Sequence, residues 1–143
     1  MKKLFISITL AVIACLCMFS FTSCVESMIQ DKEKAFINDF FAAISDENYS
    51  EAETFLHPER PADLETFFLN VEDKTDIDFQ NGIEIEKYTG VSSAKYDSTV
   101  NGSTCEITLR ANVGNEKVTF IIEIVNNDNG YGIYNLDVES KKP

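Results

Sequence analysis

The sequence predicts an α+β domain in which N-terminal helices pack on an antiparallel sheet of about four strands. Two patterns support this prediction. Apolar residues recur at helical spacing up to about residue 71, and from residue 83 onward they alternate with polar residues, which is the period of a half-buried strand. Turn sequences that contain glycine separate the alternating segments. Helices followed by a run of hairpin-connected strands are typical of an α+β layer design.

The first predicted helix runs from about Ser27 to Ser45 and carries a wide, aromatic apolar stripe. A stripe of this width is expected for a helix that lies on a sheet. Its members are Ile29, Phe36, Ile37, Phe40, Phe41 and Ile44.

Two shorter helices are predicted after it. Ser50-x-x-Glu53 has the pattern of a capping box, in which each side chain satisfies the other's free backbone amide, so a helix is expected to begin at Ser50. Pro58 should end this helix. The third helix is expected to start at Pro61, since proline suits a first helical turn, and to reach about Val71.

The strands follow an acidic loop at residues 72–78. Asn101-Gly102 is a strong signal for a tight hairpin. The strand near residues 118–125 is predicted to be central and covered on both faces, because Ile121 and Val125 are apolar on its second face. The residues predicted to face inward are Ile83 and Ile85, then Cys105, Ile107, Leu109, Ala111 and Val113, then Val118, Phe120, Ile122 and Ile124, and finally Tyr134, Leu136 and Val138.

The first 23 residues are organised as a cleavable export signal. Lys2 and Lys3 form a basic start, an apolar run follows, and small residues close the segment. The residues Phe21-Thr22-Ser23-Cys24 resemble the lipobox of bacterial lipoproteins, although leucine is usual where Phe21 stands. The resemblance implies that signal peptidase cuts between Ser23 and Cys24, and that Cys24 carries a thioether to diacylglycerol.

The predicted organisation is therefore a signal peptide at 1–23, a lipidated Cys24 with a short tether over 24–33, and an α+β domain over 34–140. Two or three acyl chains anchor a protein stably where one chain would not. The predicted location is the extracytoplasmic side of the bacterial cell membrane or the outer membrane. The alternatives are a plain secretory signal in which Cys24 is incidental, and an uncut segment that itself anchors the chain.

Removal of residues 1–23 leaves 120 residues, which is enough for one domain and its core. All 24 acidic residues and 10 of the 12 basic ones lie in this part, so its net charge is −14. Such a surface argues against nucleic acid as a partner, because neutralised phosphates supply most of the affinity there. It favours a well-solvated domain, or one that meets a basic partner.

The cysteines allow no disulfide within the processed chain. Cys15 and Cys17 leave with the signal and Cys24 is alkylated, so Cys105 remains alone. Cys105 lies in an alternating strand and is predicted to be a small core residue.

The segment from Ala35 to Pro58 resembles the opening of nuclear-transport-factor-two-like domains, also called SnoaL-like or cystatin-like. The matching residues are Ala35–Ile44, Asn48–Ala52 and Leu56–Pro58. The resemblance implies a cone, in which a strongly curved sheet wraps around the long helix and a pocket lies at the open end. The family contains enzymes such as ketosteroid isomerase, SnoaL-type cyclases and scytalone dehydratase, and many proteins without catalysis, so the fold does not decide the function.

No residue is predicted to be catalytic, and no cofactor or metal is predicted to be bound. His57, Tyr88 and Tyr134 are candidate pocket residues, because a histidine can act as a general base and a tyrosine can complete an oxyanion hole. His57 precedes Pro58 at a predicted helix end, where capping or exposure is the commoner role. The strands place no Asp or Glu clearly among their inward residues, which argues against an isomerase.

Two oxygen-rich segments, 72–78 and 126–130, carry the ligand types that Ca²⁺ prefers. Neither matches the spacing of a twelve-residue Ca²⁺ loop, so both are predicted to be solvated turns.

The expected function is that of a non-catalytic envelope lipoprotein whose pocket binds a peptide, a small ligand or a partner protein. One alternative is an immunity protein that neutralises a basic partner, motivated by the acidic charge. The other is an isomerase or lyase of the SnoaL type. The family resemblance also suggests a homodimer through the outer face of the sheet.

Overall fold

The computed structural model describes residues 25–140. The predicted signal peptide, its cleavage position after Ser23 and the lipidation residue Cys24 lie outside the described residues. Within them, the predicted α+β architecture is confirmed: helices come first, and one sheet of four antiparallel strands follows in the order β1-β2-β3-β4. The helices are α1 at Asp31–Ser45, α2 at Tyr49–Ala52 and α3 at Leu64–Lys74, with 3-10 turns at Glu53–Phe55 and Phe79–Asn81.

Helix α1 packs its apolar stripe against the sheet. Its buried residues are Ile37, Phe40, Phe41, Ala43 and Ile44, and the ring centroid of Phe41 lies 4.6 Å from that of Phe120 in the sheet. The helix begins at Asp31, four residues later than predicted. The preceding Ile29 is only 4 % exposed, so the folded domain already includes the last part of segment 24–33, which the sequence assigned to a tether.

The start of α2 differs from the predicted capping box. Asn48 is the capping residue: its Oδ1 accepts from the Glu51 backbone amide at 3.4 Å, and its Nδ2 donates to the Glu51 carboxylate at 2.6 Å. The prediction for Ser50 and Glu53 is wrong because Asn48 already caps the helix two residues earlier, through its own side chain and the side chain of Glu51. Glu53 instead accepts from the backbone amide of Leu64 at 3.4 Å.

Helix α3 also starts later than predicted. Asp63 caps it by accepting from the backbone amide of Thr66 at 2.8 Å, so Pro61 lies in the preceding loop and not in the first turn. An aspartate cap accepts a hydrogen bond from a free backbone amide of the first turn. A proline at the first helical position has no amide hydrogen of its own and satisfies none of the others. The helix continues past Val71 to Lys74 and takes in part of the predicted acidic loop.

The sheet consists of β1 at Ile83–Asp97, β2 at Gly102–Val113, β3 at Glu116–Asn127 and β4 at Gly130–Ser140. The pairing of β2 with β3 has no register shift. The inward residues predicted for these two strands are buried from Ile107 to Val113 and from Val118 to Ile124. On the second face of β3, Val125 is buried whereas Ile121 is only partly buried, so this central strand is covered there only in part.

A bulge in β4 changes which residues face the core. Ile133 pairs with Ile124, whereas Asn135 pairs with the adjacent Glu123, so Tyr134 is the extra residue. Ile133 is buried in the core position that the alternation assigned to Tyr134. The prediction that Tyr134 faces inward is therefore wrong.

Candidate functional site

A cavity of about 620 Å³ opens between the start of α1 and the inner face of the sheet. Its wall combines residues at the start of α1 with side chains from all four strands. Its size is in the range of small-molecule sites in proteins. We call it the Glu33 cavity, after the carboxylate on its wall; Tyr131, Cys105, Lys32, Ser93 and Lys95 also line it.

Glu33 lies in the first turn of α1. It precedes the buried Ile37 by four positions, so the two side chains lie on the same face of the helix. Glu33 thus lies on the same face of α1 as the apolar stripe, at the end of the helix that borders the cavity. Glu33 is absent from the candidates predicted above, because acids were expected on the strands; its position relative to Ile37 was the available signal.

The strands supply two rows of inward side chains to the cavity. Ser93, Cys105 and Ile124 are paired across β1, β2 and β3, and the next inward row joins Ser103 and Asn126 to Tyr131. The inner face is aliphatic along most of the sheet, as predicted, but becomes polar in these rows. The cavity wall is therefore mixed and not purely apolar.

Tyr131 projects from β4 into the cavity. Its ring packs edge-to-face on Phe36, with centroids 5.1 Å apart, and the Lys32 ammonium lies 4.4 Å from its ring centroid. Burial raises the pKa of Tyr131 to about 12, and the negative charge of Glu33 contributes to this shift. The phenol is therefore a protonated hydrogen-bond donor at neutral pH.

Cys105 is half-buried beside these groups and not part of the closed core. Burial is the main cause that raises the pKa of its thiol, and the charge of Glu33 adds to it. Since the thiolate is the reactive form, this cysteine is a poor nucleophile at neutral pH.

Two buried side-chain atoms of residues 25–140 have no hydrogen-bond partner, and both belong to residues that line this cavity. They are the Glu33 Oε2 atom and the Tyr131 hydroxyl. An unsatisfied buried polar group costs about 1–3 kcal/mol, so such groups are rare in folded proteins. An acceptor and a donor without partners in one cavity identify it as the candidate site.

Replacing Glu33 with glutamine is expected to lower the pKa of Cys105. The variant removes a negative charge that opposes the thiolate, so Cys105 should be alkylated by iodoacetamide about two- to tenfold faster at mildly alkaline pH. Peptide mass spectrometry measures the modification at Cys105. Glu106→Gln is the matched control, because Glu106 is exposed on the opposite face of β2. Equal alkylation rates in the wild type and Glu33→Gln would contradict the described effect of the Glu33 charge on the pKa of Cys105.

The candidate residues from the sequence fall elsewhere. His57 and Tyr134 lie together, with ring centroids 5.5 Å apart, and the Arg60 guanidinium lies 4.6 Å from the Tyr134 ring centroid. Tyr134 lines a smaller cleft of about 210 Å³ with Arg60 and Phe67. Tyr88 is buried on β1, with the Lys34 ammonium 5.9 Å from its ring centroid. The structure brings His57 and Tyr134 together but places neither them nor Tyr88 on the wall of the Glu33 cavity.

His57 is 0 % exposed, and its side chain links the segment after α2 to the β3–β4 hairpin through hydrogen bonds. Its Nε2 atom lies 3.1 Å from Asn127 Oδ1 and 3.2 Å from the Gly130 carbonyl oxygen. Both are acceptors, so Nε2 carries the proton, while Nδ1 accepts from the Glu59 backbone amide at 3.2 Å. Both ring nitrogens are thus occupied by hydrogen bonds, which leaves no free nitrogen for general-base chemistry.

The same network predicts a loss of stability in acid. A hydrogen bond from Asn127 lowers the pKa of Glu59 below its ordinary value of 4.5, and one from Asn129 adds to this. Because the pKa of Glu59 is lower in the folded state, its ionised form stabilises the fold above about pH 4.5. This stabilisation is lost as the pH falls through the pKa of the folded state. The melting temperature should therefore decline below about pH 4.5, and less steeply in Glu59→Gln. Glu139→Gln removes one exposed charge as the control; an unchanged slope in Glu59→Gln would contradict this role.

The oxygen-rich segments are occupied by turn and helix contacts. Glu72 accepts from the Phe79 backbone amide at 2.9 Å, and Asp78 accepts from the Gln80 backbone amide at 3.0 Å. In residues 25–140, no three His, Cys, Asp or Glu side chains come together as they would to hold a metal ion.

None of the helices in this part of the chain is both long and apolar enough to cross a membrane. The chain was compared with protein-family models, curated proteins and solved structures, and none of them matches it.

Proposed function

We propose that this chain is a lipid-anchored protein of the bacterial cell envelope whose domain binds a small molecule in the Glu33 cavity without transforming it. The observation that carries the proposal is the pair of buried, unpartnered polar atoms on Glu33 and Tyr131. A bound molecule that supplies a donor to Glu33 and an acceptor to Tyr131 would remove the cost of leaving both atoms unsatisfied.

The arrangement of elements supports a place in the nuclear-transport-factor-two-like superfamily. A long helix with its apolar face on a four-stranded antiparallel sheet is followed by a short second helix, as the resemblance implies. The cavity lies at one end, between the start of α1 and the sheet. A pocket at one end of the sheet is also what the resemblance implies.

The protonation states argue against Tyr131 or Cys105 as a general base. Acids and bases in enzymes tend to have pKa values near the working pH. In this cavity, burial raises the pKa of Tyr131 to about 12 and raises that of Cys105. Both groups therefore keep their protons at neutral pH, which suits a hydrogen-bonding wall.

An isomerase or lyase of the SnoaL type is the second candidate, and the same pair of residues favours it. The Glu33 carboxylate would take a proton from carbon, and the Tyr131 hydroxyl would donate a hydrogen bond to the oxyanion that forms. Bound molecules that change their covalent structure when incubated with the wild type, but not with Glu33→Gln, would favour this alternative.

The binding proposal is tested by filling the mouth of the cavity. Ser93 and Ser92 are adjacent, exposed residues of β1 whose side chains point to opposite faces of the strand. Ser93→Trp should block the cavity, whereas Ser92→Trp is the matched control. A fragment library is screened against the three proteins by ligand-observed NMR. We expect fragments that bind the wild type and Ser92→Trp but not Ser93→Trp; if no fragment shows this pattern, the proposed function is wrong.

A further inference from the structure

The Glu33 cavity contains charges of both signs that do not neutralise one another. Three charged residues, Glu33, Lys32 and Lys95, line its wall. Among residues 25–140, Glu33 forms no ion pair; the close lysine–carboxylate pair there joins Lys117 to Glu86 at 3.0 Å. The Lys32 ammonium instead lies over the Tyr131 ring. The cavity is therefore lined by residues whose charges are of both signs and are not paired with one another.

This arrangement selects against ligands with a charge of only one sign. A purely cationic molecule would face Lys32 and Lys95, and a purely anionic molecule would face Glu33. In a partly closed cavity these repulsions are stronger than in water, because the effective dielectric constant is lower. A molecule with separated opposite charges can place each of them beside its complement.

The neutral part of the wall fits the same kind of molecule. Ser93, Ser103 and Asn126 offer hydrogen-bonding groups, and Val91 and Ile124 offer apolar surface for a short carbon skeleton. Because Lys32 lies over the ring of Tyr131, an anionic group near the phenol would meet both a hydroxyl donor and an ammonium.

We propose that the Glu33 cavity binds a zwitterionic small molecule, with its ammonium group against the Glu33 carboxylate and its anionic group held by Lys32 and the Tyr131 hydroxyl. This inference rests on the proposed binding function and names the chemical class of its ligand.

The test uses probes that differ only in charge. Isothermal titration calorimetry at neutral pH measures a series of ω-amino acids from glycine to aminohexanoate, each beside the alkanoate and the alkylamine of the same chain length. We expect at least one amino acid to bind the wild type about tenfold more tightly than either single-charge counterpart. The advantage should shrink as salt is added, because the paired charges are screened.

Two variants should then change affinity in opposite directions. Glu33→Gln should weaken the alkylamine and strengthen the alkanoate, whereas Lys32→Gln should do the reverse; both should weaken the amino acid about tenfold. A misfolded cavity would weaken all three probes, so the crossed pattern separates charge recognition from structural damage. Lys34→Gln is the control, since Lys34 lies beside Tyr88 and away from the cavity wall.

The outcomes separate this inference from the proposed function. If no amino acid binds more tightly than its counterparts while fragments still respond to Ser93→Trp, the zwitterion inference is overturned and the binding function stands. If neither the probes nor the fragments bind, both fail.

Discussion

Replacing Cys24 with alanine is expected to abolish the attachment of fatty acid to the protein, and to release it to the aqueous fraction wherever residues 1–23 are still cut off. Each buried CH₂ of an acyl chain contributes about 0.8 kcal/mol, so two or three chains on Cys24 hold the protein on the membrane essentially completely. The domain carries a net charge of −14 and so offers no attraction to anionic lipid that would replace the chains. Cell fractionation and metabolic labelling with a radioactive or clickable fatty acid measure the change.

The control for this experiment is Cys105→Ala, which removes the cysteine inside the domain and should leave both the location and the label unchanged. Two results would contradict lipidation. If the wild type is already aqueous and unlabelled, residues 1–23 act as a plain secretory signal. If the wild type is in the membrane but unlabelled and still carries residues 1–23, the uncut segment is the anchor.

Replacing His57 with alanine is expected to lower the free energy of unfolding by about 3 kcal/mol. The imidazole is 0 % exposed and its nitrogens contact Asn127, Gly130 and Glu59. Its removal leaves an empty volume and at least one buried carbonyl without its donor. For a domain of this size, a loss of this magnitude lowers the melting temperature by roughly 10 °C. Thermal and urea unfolding at neutral pH measure it.

His57→Gln provides a graded comparison, because its amide nitrogen can replace Nε2 as a donor but supplies no acceptor at Nδ1. Its loss of stability should be about half that of His57→Ala. Asn38→Ala, an exposed change on α1, should stay within about 0.5 kcal/mol of the wild type. A His57→Ala variant as stable as Asn38→Ala would show that the network does not hold the hairpin to the segment after α2.

The periodic patterns predicted the elements whose neighbours along the chain decide their structure. The stripe from Ile37 to Ile44 placed the buried face of α1, and the alternation of residues 107–113 and 118–124 gave the inward faces of β2 and β3. A helix face or strand face repeats with a fixed period, so local sequence contains this information. Helix starts were less predictable, because Asn48 and Asp63 compete with nearby residues that can cap equally well.

The candidate site depended on residues that are distant in sequence. The approach of Glu33 to Tyr131 requires that the start of α1 reach the polar end of the sheet, and no local period reports how far a helix extends along its sheet. His57 was expected at an exposed helix end. In the structure its backbone amide donates to the Ile133 carbonyl at 2.8 Å, and this pairing with β4 places the residue in the interior.

By itself, the sequence determined the order of helices and strands, the acidic surface, the single cysteine left to the domain and the expectation of a lipid anchor at Cys24. Only the tertiary structure decided the bulge that turns Tyr134 away from the core, the burial of His57 and the two unpartnered atoms in one cavity. The physical reason is the range of the interactions. Periodicity and composition act between residues close along the chain, whereas pairing register and burial depend on which distant segments meet.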